Sequence, residues 1–242
     1  MRPNDKIERA FLTTWPAAEY RDIGGFRVGR GLGGGGRLSS AFAPTVEWDA
    51  LAISEVEAIQ REWEEKPQFR VWDDDAALAG ALTDAGWTSG RPTLVLEADV
   101  AELTDKPVPR LTAIEVWPLL AAQRQIWADG GLNDSRIAAM NRVGVPRISI
   151  LGRLQDHIAG AAFVAADGPV VMIHAIQIAD NFRRMGLAEW MLRQASVWGA
   201  ANGADTLALA VTADNAPAVK LYDKLGFKTC GSYSYWSRPT AA

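Results

Sequence analysis

VVMIHAIQIADNFRRMGLA, residues Val170–Ala188, passes from an apolar run through a polar break at Asp180-Asn181 into a long amphipathic segment. That order predicts a strand, a tight loop and a helix. Such a junction suits an anion. The first turn of a helix leaves backbone N–H groups without intrahelical partners and adds partial positive charge, so a phosphate can be held mostly by main chain. Gly186 removes a side chain where a ligand must approach the backbone, and Arg183 and Arg184 add fixed charge. The spacing is Arg-x-x-Gly-x-Ala, which is neither a Walker A loop nor the Gly-x-Gly-x-x-Gly dinucleotide fingerprint.

A second pattern follows it. Thr206–Thr212 is an apolar strand, and Asn215-Ala-Pro-Ala-Val-Lys-Leu-Tyr222-Asp-Lys-Leu-Gly226-Phe227 opens a helix with Pro217 in its first turn and closes it with glycine. Ala218, Leu221, Tyr222 and Leu225 share one face of that helix. Together the two motifs, within residues 146–236, resemble the GNAT acetyltransferases. The first is similar to that family's coenzyme A pyrophosphate loop, the second to its Asn-x-x-Ala-x-x-Leu-Tyr-x-x-x-Gly-Phe segment.

The resemblance implies an α/β fold with a mixed, mostly antiparallel sheet flanked by helices, and acetyl coenzyme A as cofactor. It implies that Arg183, Arg184, Met185, Gly186, Leu187 and Ala188 hold the pyrophosphate, that the backbone of Ile176, Gln177 and Ile178 pairs with pantetheine and the thioester oxygen, and that Asn215 touches the cofactor. Tyr222 matches the tyrosine that often protonates the departing thiolate, and a phenol near pKa 10 can donate at neutral pH. His174 lies on the central strand, where some members carry an acid or base, and an imidazole near pKa 6.5 can take an amine's proton. A buried, hydrogen-bonded histidine is the alternative there. The glutamate frequent on this strand is absent. The expected activity is N-acetylation of a primary amine, on a small molecule or a protein, by direct attack in a ternary complex. The alternative is a non-catalytic coenzyme A sensor or interaction module on the same fold.

The 242 residues carry 48% hydrophobic and 22% charged side chains, the ordinary balance of a globular chain with room for two modest domains. Cys230 is the only cysteine and there are two histidines, which excludes an internal disulfide and argues against a metal site. The net charge of −4 without a basic stripe argues against nucleic acid as a partner. No run approaches a membrane span and the first residues lack the pattern of a secretion signal, so the expected setting is the cytoplasm, as a monomer or homodimer.

The first half carries a different glycine cluster. Gly31, Gly33 and Gly36 formally match the dinucleotide fingerprint, but Arg37–Phe42 after it reads as an extended segment and not as a helix opening, so the expectation is a hairpin or a mobile flap. Beyond it, Ala50–Lys66 has a helical period, Phe69–Trp72 is a strand, Ala76–Ala85 a helix after three aspartates, and Thr93–Ala98 a strand. Adding 140 to these numbers places Phe69–Trp72 on Leu209–Thr212, Leu82 on Tyr222 and Gly86-Trp87 on Gly226-Phe227 without a gap. The phosphate loop does not transfer, because Arg183–Ala188 falls on Ala43–Trp48, which has no glycine and no basic pair. This predicts two tandem domains, a degenerate acetyltransferase-like one over residues 1–105 and a catalytic one over 106–242, joined near Leu103–Arg110. Chance recurrence of a common helix, glycine, strand unit is the alternative.

Overall fold

A computed structural model describes residues 1–239. Helix α1 (Asp5–Thr13) starts at Asn4, whose side chain accepts the Ile7 N–H, and buries Ile7, Ala10 and Phe11. The hairpin β1 (Glu19–Ile23) and β2 (Phe26–Arg30) follows. Arg37–Phe42 is not one extended segment as expected. Gly36–Ser39 winds a single turn, α2, before the short strand β3 (Ala41–Phe42). The first half continues through α3 (Ala52–Glu62), β4 (Gln68–Trp72), α4 (Ala76–Asp84), β5 (Thr88–Asp99) and the turn α5 (Val100–Leu103). The second half runs β6 (Ala113–Val116), α6 (Ala121–Asp129), α7 (Asp134–Arg142), β7 (Arg147–Leu154), β8 (His157–Asp167), β9 (Val170–Ile178), α8 (Leu187–Ala201), β10 (Thr206–Thr212), α9 (Ala216–Lys224) and β11 (Lys228–Ser237). The fold is thus the expected mixed α/β class, with helices flanking a largely antiparallel sheet.

The described strands form one eleven-stranded sheet in the order β1-β2-β3-β4-β11-β5-β10-β9-β8-β7-β6. Only β3 with β4 and β9 with β10 run parallel. The last strand of each half has crossed over, so that β11 lies on β4 and β5 lies on β10, with β5 and β11 paired to each other in the middle. The 140-residue offset holds at the level of register. Thr93 faces both Thr212 and Tyr233, and Tyr233 faces Trp72, so the pairs Val71 with Ser234 and Leu94 with Val211 are counterparts. A pseudo-twofold axis therefore passes through the Thr93–Tyr233 pair. Helices α4 and α9 are offset by the same amount, begin at the side-chain caps Asp75 and Asn215, and end at left-handed Gly86 and Gly226.

Packing follows the two faces of this sheet. Leu187, Met191, Leu192, Ala195 and Trp198 of α8 lie over β8, β9 and β10. Trp190 is half-buried under the Arg193 guanidinium instead. Ile53, Val56 and Ile59 of α3 cover β2 and β4 in the first half. The stretch after α5 is fastened and does not behave as a free linker. Buried Arg193 donates to the Leu103 carbonyl at 3.1 Å and pairs with Asp105. Neither half can therefore complete its sheet without a strand of the other, and the boundary expected at 105/106 does not divide the sheet. The intact chain should unfold in one cooperative transition. Circular dichroism and calorimetry check this, since two separate transitions would make the halves independent units.

Candidate active site

The site is built where β9 loses a neighbour. Pairing of β9 with β10 stops after Met172 and Ala208, whereas pairing with β8 continues to Ile178. On that side β9 carries an extra residue, because Phe163 faces His174 but Ala161 faces Gln177. The bulge is at Ala175, whose φ is +51°. Its carbonyl accepts the Trp127 indole N–H at 2.8 Å, so the irregular peptide is held from α6. The two diverging strands leave a cavity of about 400 Å³, walled by Ile173–Ile176 on one side and Leu209–Thr212 on the other. Ile176 of the expected backbone track lines it. Gln177 and Ile178 carry the track on towards the loop, and the Gln177 side chain packs so tightly on Gly130 that a Cβ there would lie 2.4 Å away.

At the end of β9, Asp180–Phe182 makes one 3₁₀ turn and Arg183 folds back, its Nη2 2.7 Å from Asp180 Oδ1 and its Nε donating to the Ile178 carbonyl at 3.3 Å. Arg184 and Gly186 are both left-handed, at φ +63° and +86°. Gly186 is the cap of α8 and supplies no side chain to its N–H groups, whereas Asn4, Asp75, Asn133 and Asn215 cap α1, α4, α7 and α9. A Cβ on Gly186 would meet nothing within 4 Å. The start of α8 is therefore an uncapped helix end facing open space beside two arginines, which fits a pyrophosphate. Leu187 is buried and anchors the loop to the core, Ala188 is half-buried, and Met185 is exposed.

The counterpart in the first half is closed. Asp49 donates its N–H to the Gly24 carbonyl and accepts the Leu51 N–H, each at 2.9 Å, which closes the loop just before α3. Trp48 packs on Phe26 at 5.7 Å between ring centres. Gly25 is pressed against the chain at Glu47, where a Cβ would come within 2.3 Å of the Glu47 carbonyl oxygen.

Tyr222 and Asn215 reach the cavity from α9. Asn215 caps the helix, accepting the Ala218 N–H at 3.4 Å, so the helix explains it without a ligand. Burial pushes the Tyr222 phenol up to about 12, so it keeps its proton at any ordinary pH. His174 is buried and lines the same cavity, but both of its nitrogens are engaged. Nδ1 lies 3.1 Å from Arg37 Nη1, which can only donate, and Nε2 lies 2.9 Å from Thr14 Oγ1, which in turn donates to the Ala10 carbonyl. Burial and the Arg37 charge hold the imidazole well below its ordinary value. An imidazole so placed is neutral and has no free lone pair, which is poor equipment for the base expected at this position. Cys230 is also unsuited to a covalent role, because burial raises its thiol to about 12 and its Sγ rests on the Val95 carbonyl.

Several cavity residues had no sequence signal. Arg37 arrives from α2, and Tyr233 and Tyr235 from the exchanged strand β11. The two tyrosines alternate along β11, and the face they share is set by the exchange. The glycine-rich stretch is not the free flap expected. Asn133 donates to the Gly33 carbonyl at 2.8 Å and Arg136 to that of Gly34 at 3.1 Å, and Gly36 sits where a Cβ would touch Gln68 and the Tyr235 ring. Among the described residues no group of three or more His, Cys, Asp or Glu could hold a metal ion, and no helix is long and apolar enough to cross a membrane.

The acetyltransferase (GNAT) family model matches residues 113–227, the span that holds the diverging strands, the loop and Tyr222. Over this span the chain matches the GNAT family. Streptothricin acetyltransferase of Streptomyces lavendulae is 29% identical over 120 residues, which is 49% of this chain and 64% of that protein. Mycothiol acetyltransferase of Corynebacterium aurimucosum is 33% identical over 66 residues, 27% of this chain and 22% of that protein. The chain thus spans less than two thirds of either curated relative. A GCN5-related N-acetyltransferase from Kribbella flavida shares the fold with a TM-score of 0.69, over 98% of this chain and 94% of that one at 18% identity. A tandem GNAT protein from the clavulanic acid biosynthesis pathway does so with a TM-score of 0.58, over 84% and 76% at 13% identity.

The buried histidine gives a test in pH. Its folded pKa lies below the unfolded value near 6.5, so unfolding takes up a proton and stability falls as pH drops through that value. Melting temperatures measured between pH 7 and 5 should decline less steeply for His174→Asn than for the wild type. Parallel slopes would show that His174 does not titrate on unfolding.

Proposed function

We propose that this protein is an acetyl-coenzyme-A-dependent N-acetyltransferase that acetylates a primary amine by direct attack in a ternary complex. The observation that carries the reading is the divergence of β9 from β10 after Met172, which leaves strand main chain facing a cavity that also receives Tyr222. GNAT acetyltransferases use acetyl coenzyme A, and the uncapped start of α8 and the open space over Gly186 fit its pyrophosphate. When bound, the cofactor supplies an activated acetyl group.

The chain's own residues do the rest. The N–H groups of Met185–Ala188 and the guanidinium of Arg184 receive the phosphates, with Arg183 tied to Asp180 as a brace for the loop. The edge of Ile176, Gln177 and Ile178 that β10 leaves unpaired, with the Ile178 carbonyl held by Arg183, orients the pantetheine arm by main-chain pairing, which explains how the strand can be apolar and still bind a polar ligand. Tyr222 holds a proton at Oη for the departing sulfur, and its burial keeps that proton in place. His174 acts as the acceptor that positions Arg37, and the amine loses its proton to water in the cavity. The first half is a degenerate domain of the same kind, and its closed loop supports one coenzyme A per chain. The amine is borne by a small molecule or a protein.

Two variants test the reading. Gly186→Glu places a carboxylate in the phosphate position and adds left-handed strain of about 1 kcal/mol, so the protein should stay folded and lose coenzyme A binding. Calorimetry reads both this loss and the expected single site per wild-type chain, and normal binding by the variant would remove the loop assignment. Tyr222→Phe should lower kcat about 100-fold while leaving the Kd for coenzyme A unchanged, because the proton is needed only as the sulfur departs. An unchanged rate, measured where chemistry limits turnover, would return Tyr222 to the core.

A further inference from the structure

Two arginines near the cavity, half-buried Arg37 and buried Arg70, have guanidinium nitrogens buried without acids. Arg37 lines the cavity, donates to neutral His174 and to the Phe11 carbonyl, and has its Nε buried without a partner. Arg70 on β4 is 2% exposed, lies opposite Tyr235 in the sheet, and has Nε and Nη2 unpartnered. Among the described residues neither meets a carboxylate within ion-pair distance, although the chain as a whole is acidic. Their compensation is aromatic: the Arg37 guanidinium is 3.6 Å from the Phe11 ring centre and that of Arg70 is 4.3 Å from Phe42. Ring faces replace only part of the hydration that a guanidinium loses, so buried arginines are normally paired. Burial and the like charge of Arg70 bring Arg37 down to about 10, which still leaves it charged at neutral pH. Beside it the hydroxyls of Tyr233 and Tyr235, 3.4 Å apart, add donors to the same wall.

We propose that the acceptor amine carries a carboxylate, and that Arg37, with the hydroxyls of Tyr233 and Tyr235, is the group that holds it. The inference rests on the acetyltransferase reading and narrows its substrate to small amino-carboxylates. Position supports a small acceptor. Arg37 bonds to His174, the residue directly before the bulge at Ala175 and Ile176, so the anion and the reacting amine are separated by a few bonds. A cavity of about 400 Å³ that must also admit the pantetheine arm leaves little room for more. Arg70, opposite Tyr235 in the sheet, reinforces the positive potential without reaching the lining.

Initial rates on the full chain with acetyl coenzyme A compare glycine, β-alanine and γ-aminobutyrate with their carboxamides and with alkylamines of the same length. In at least one series the carboxylate should exceed its amide about 100-fold in kcat/KM, because a buried charged donor is left unpaired by the analogue. Arg37→Met should erase that preference through KM while the Kd for coenzyme A stays within about twofold, and Arg37→Lys should restore part of it. Calorimetric titration of the amino-carboxylates into the wild-type chain saturated with coenzyme A gives a readout independent of turnover. Carboxylate binding without turnover of any amine upholds Arg37 as a carboxylate site but overturns the enzyme reading and, with it, the acceptor role of that carboxylate. Amides or alkylamines used as well as carboxylates overturn the proposal and leave the enzyme reading intact. Neither turnover nor binding of any amino-carboxylate overturns it, as does an Arg37→Met variant that loses coenzyme A affinity instead. The wild-type comparison decides the matter even if both variants fail to fold.

Discussion

A strand in the middle of a sheet has two rows of main-chain hydrogen-bonding groups, and here one of those rows must be left free over half its length. That constraint shapes the second half of the chain. Each peptide group buried without a partner costs about 1–3 kcal/mol, so β9 can diverge from β10 only where a cavity gives its N–H and C=O groups something else to meet. The bulge at Ala175 turns the strand, and Trp127 takes the carbonyl that the turn would otherwise orphan. Helix α8 starts from a left-handed glycine without a side-chain cap for a related reason. In both places the protein leaves backbone unsatisfied within itself, and both lie along the same track from cavity to loop.

The first half follows the opposite rule. Its counterpart loop satisfies itself through Asp49, buries Trp48 and lets Gly25 pack against the Glu47 backbone. What it contributes is structural and electrostatic. Strand β5 pairs with β10 along its full length on the edge opposite β9, with seven paired residues from Thr93 to Asp99. Helix α2 carries Arg37 into the cavity, and α1 supplies Thr14 behind His174 and the Phe11 ring beneath Arg37. A half without a phosphate loop of its own thus builds one wall of the other half's pocket.

The motif residues were legible because main-chain chemistry constrains local sequence. Arg183, Gly186, Asn215, Tyr222 and Gly226 each report a loop, a cap or a helix face, and local geometry places them where their spacing implies. The 140-residue offset was legible for the same reason, as helix caps and terminal glycines repeat with it. Strand exchange was not, because β11 has the same alternating pattern whichever neighbour it takes. The role of His174 was hidden too. Its environment comes from Arg37 and Thr14, which lie 137 and 160 residues away in sequence. Arg37 follows four glycines and gives no sign in sequence that it lines the cavity. The single turn of α2 hides it, and a four-residue helix is too short to announce itself by period.

The axis through Thr93 and Tyr233 also limits how such a chain can change its length. Residues on either side of that pair are shared between two interfaces, since β5 touches β10 on one edge and β11 on the other. One residue added to β5 would reverse the faces of its side chains against both neighbours at once, taking buried Val95 and Leu96 out of opposite cores. The same holds for β11 and buried Tyr233. Insertions and deletions are accordingly confined to the outer turns, and the two halves remain locked in step although only one of them carries the phosphate loop.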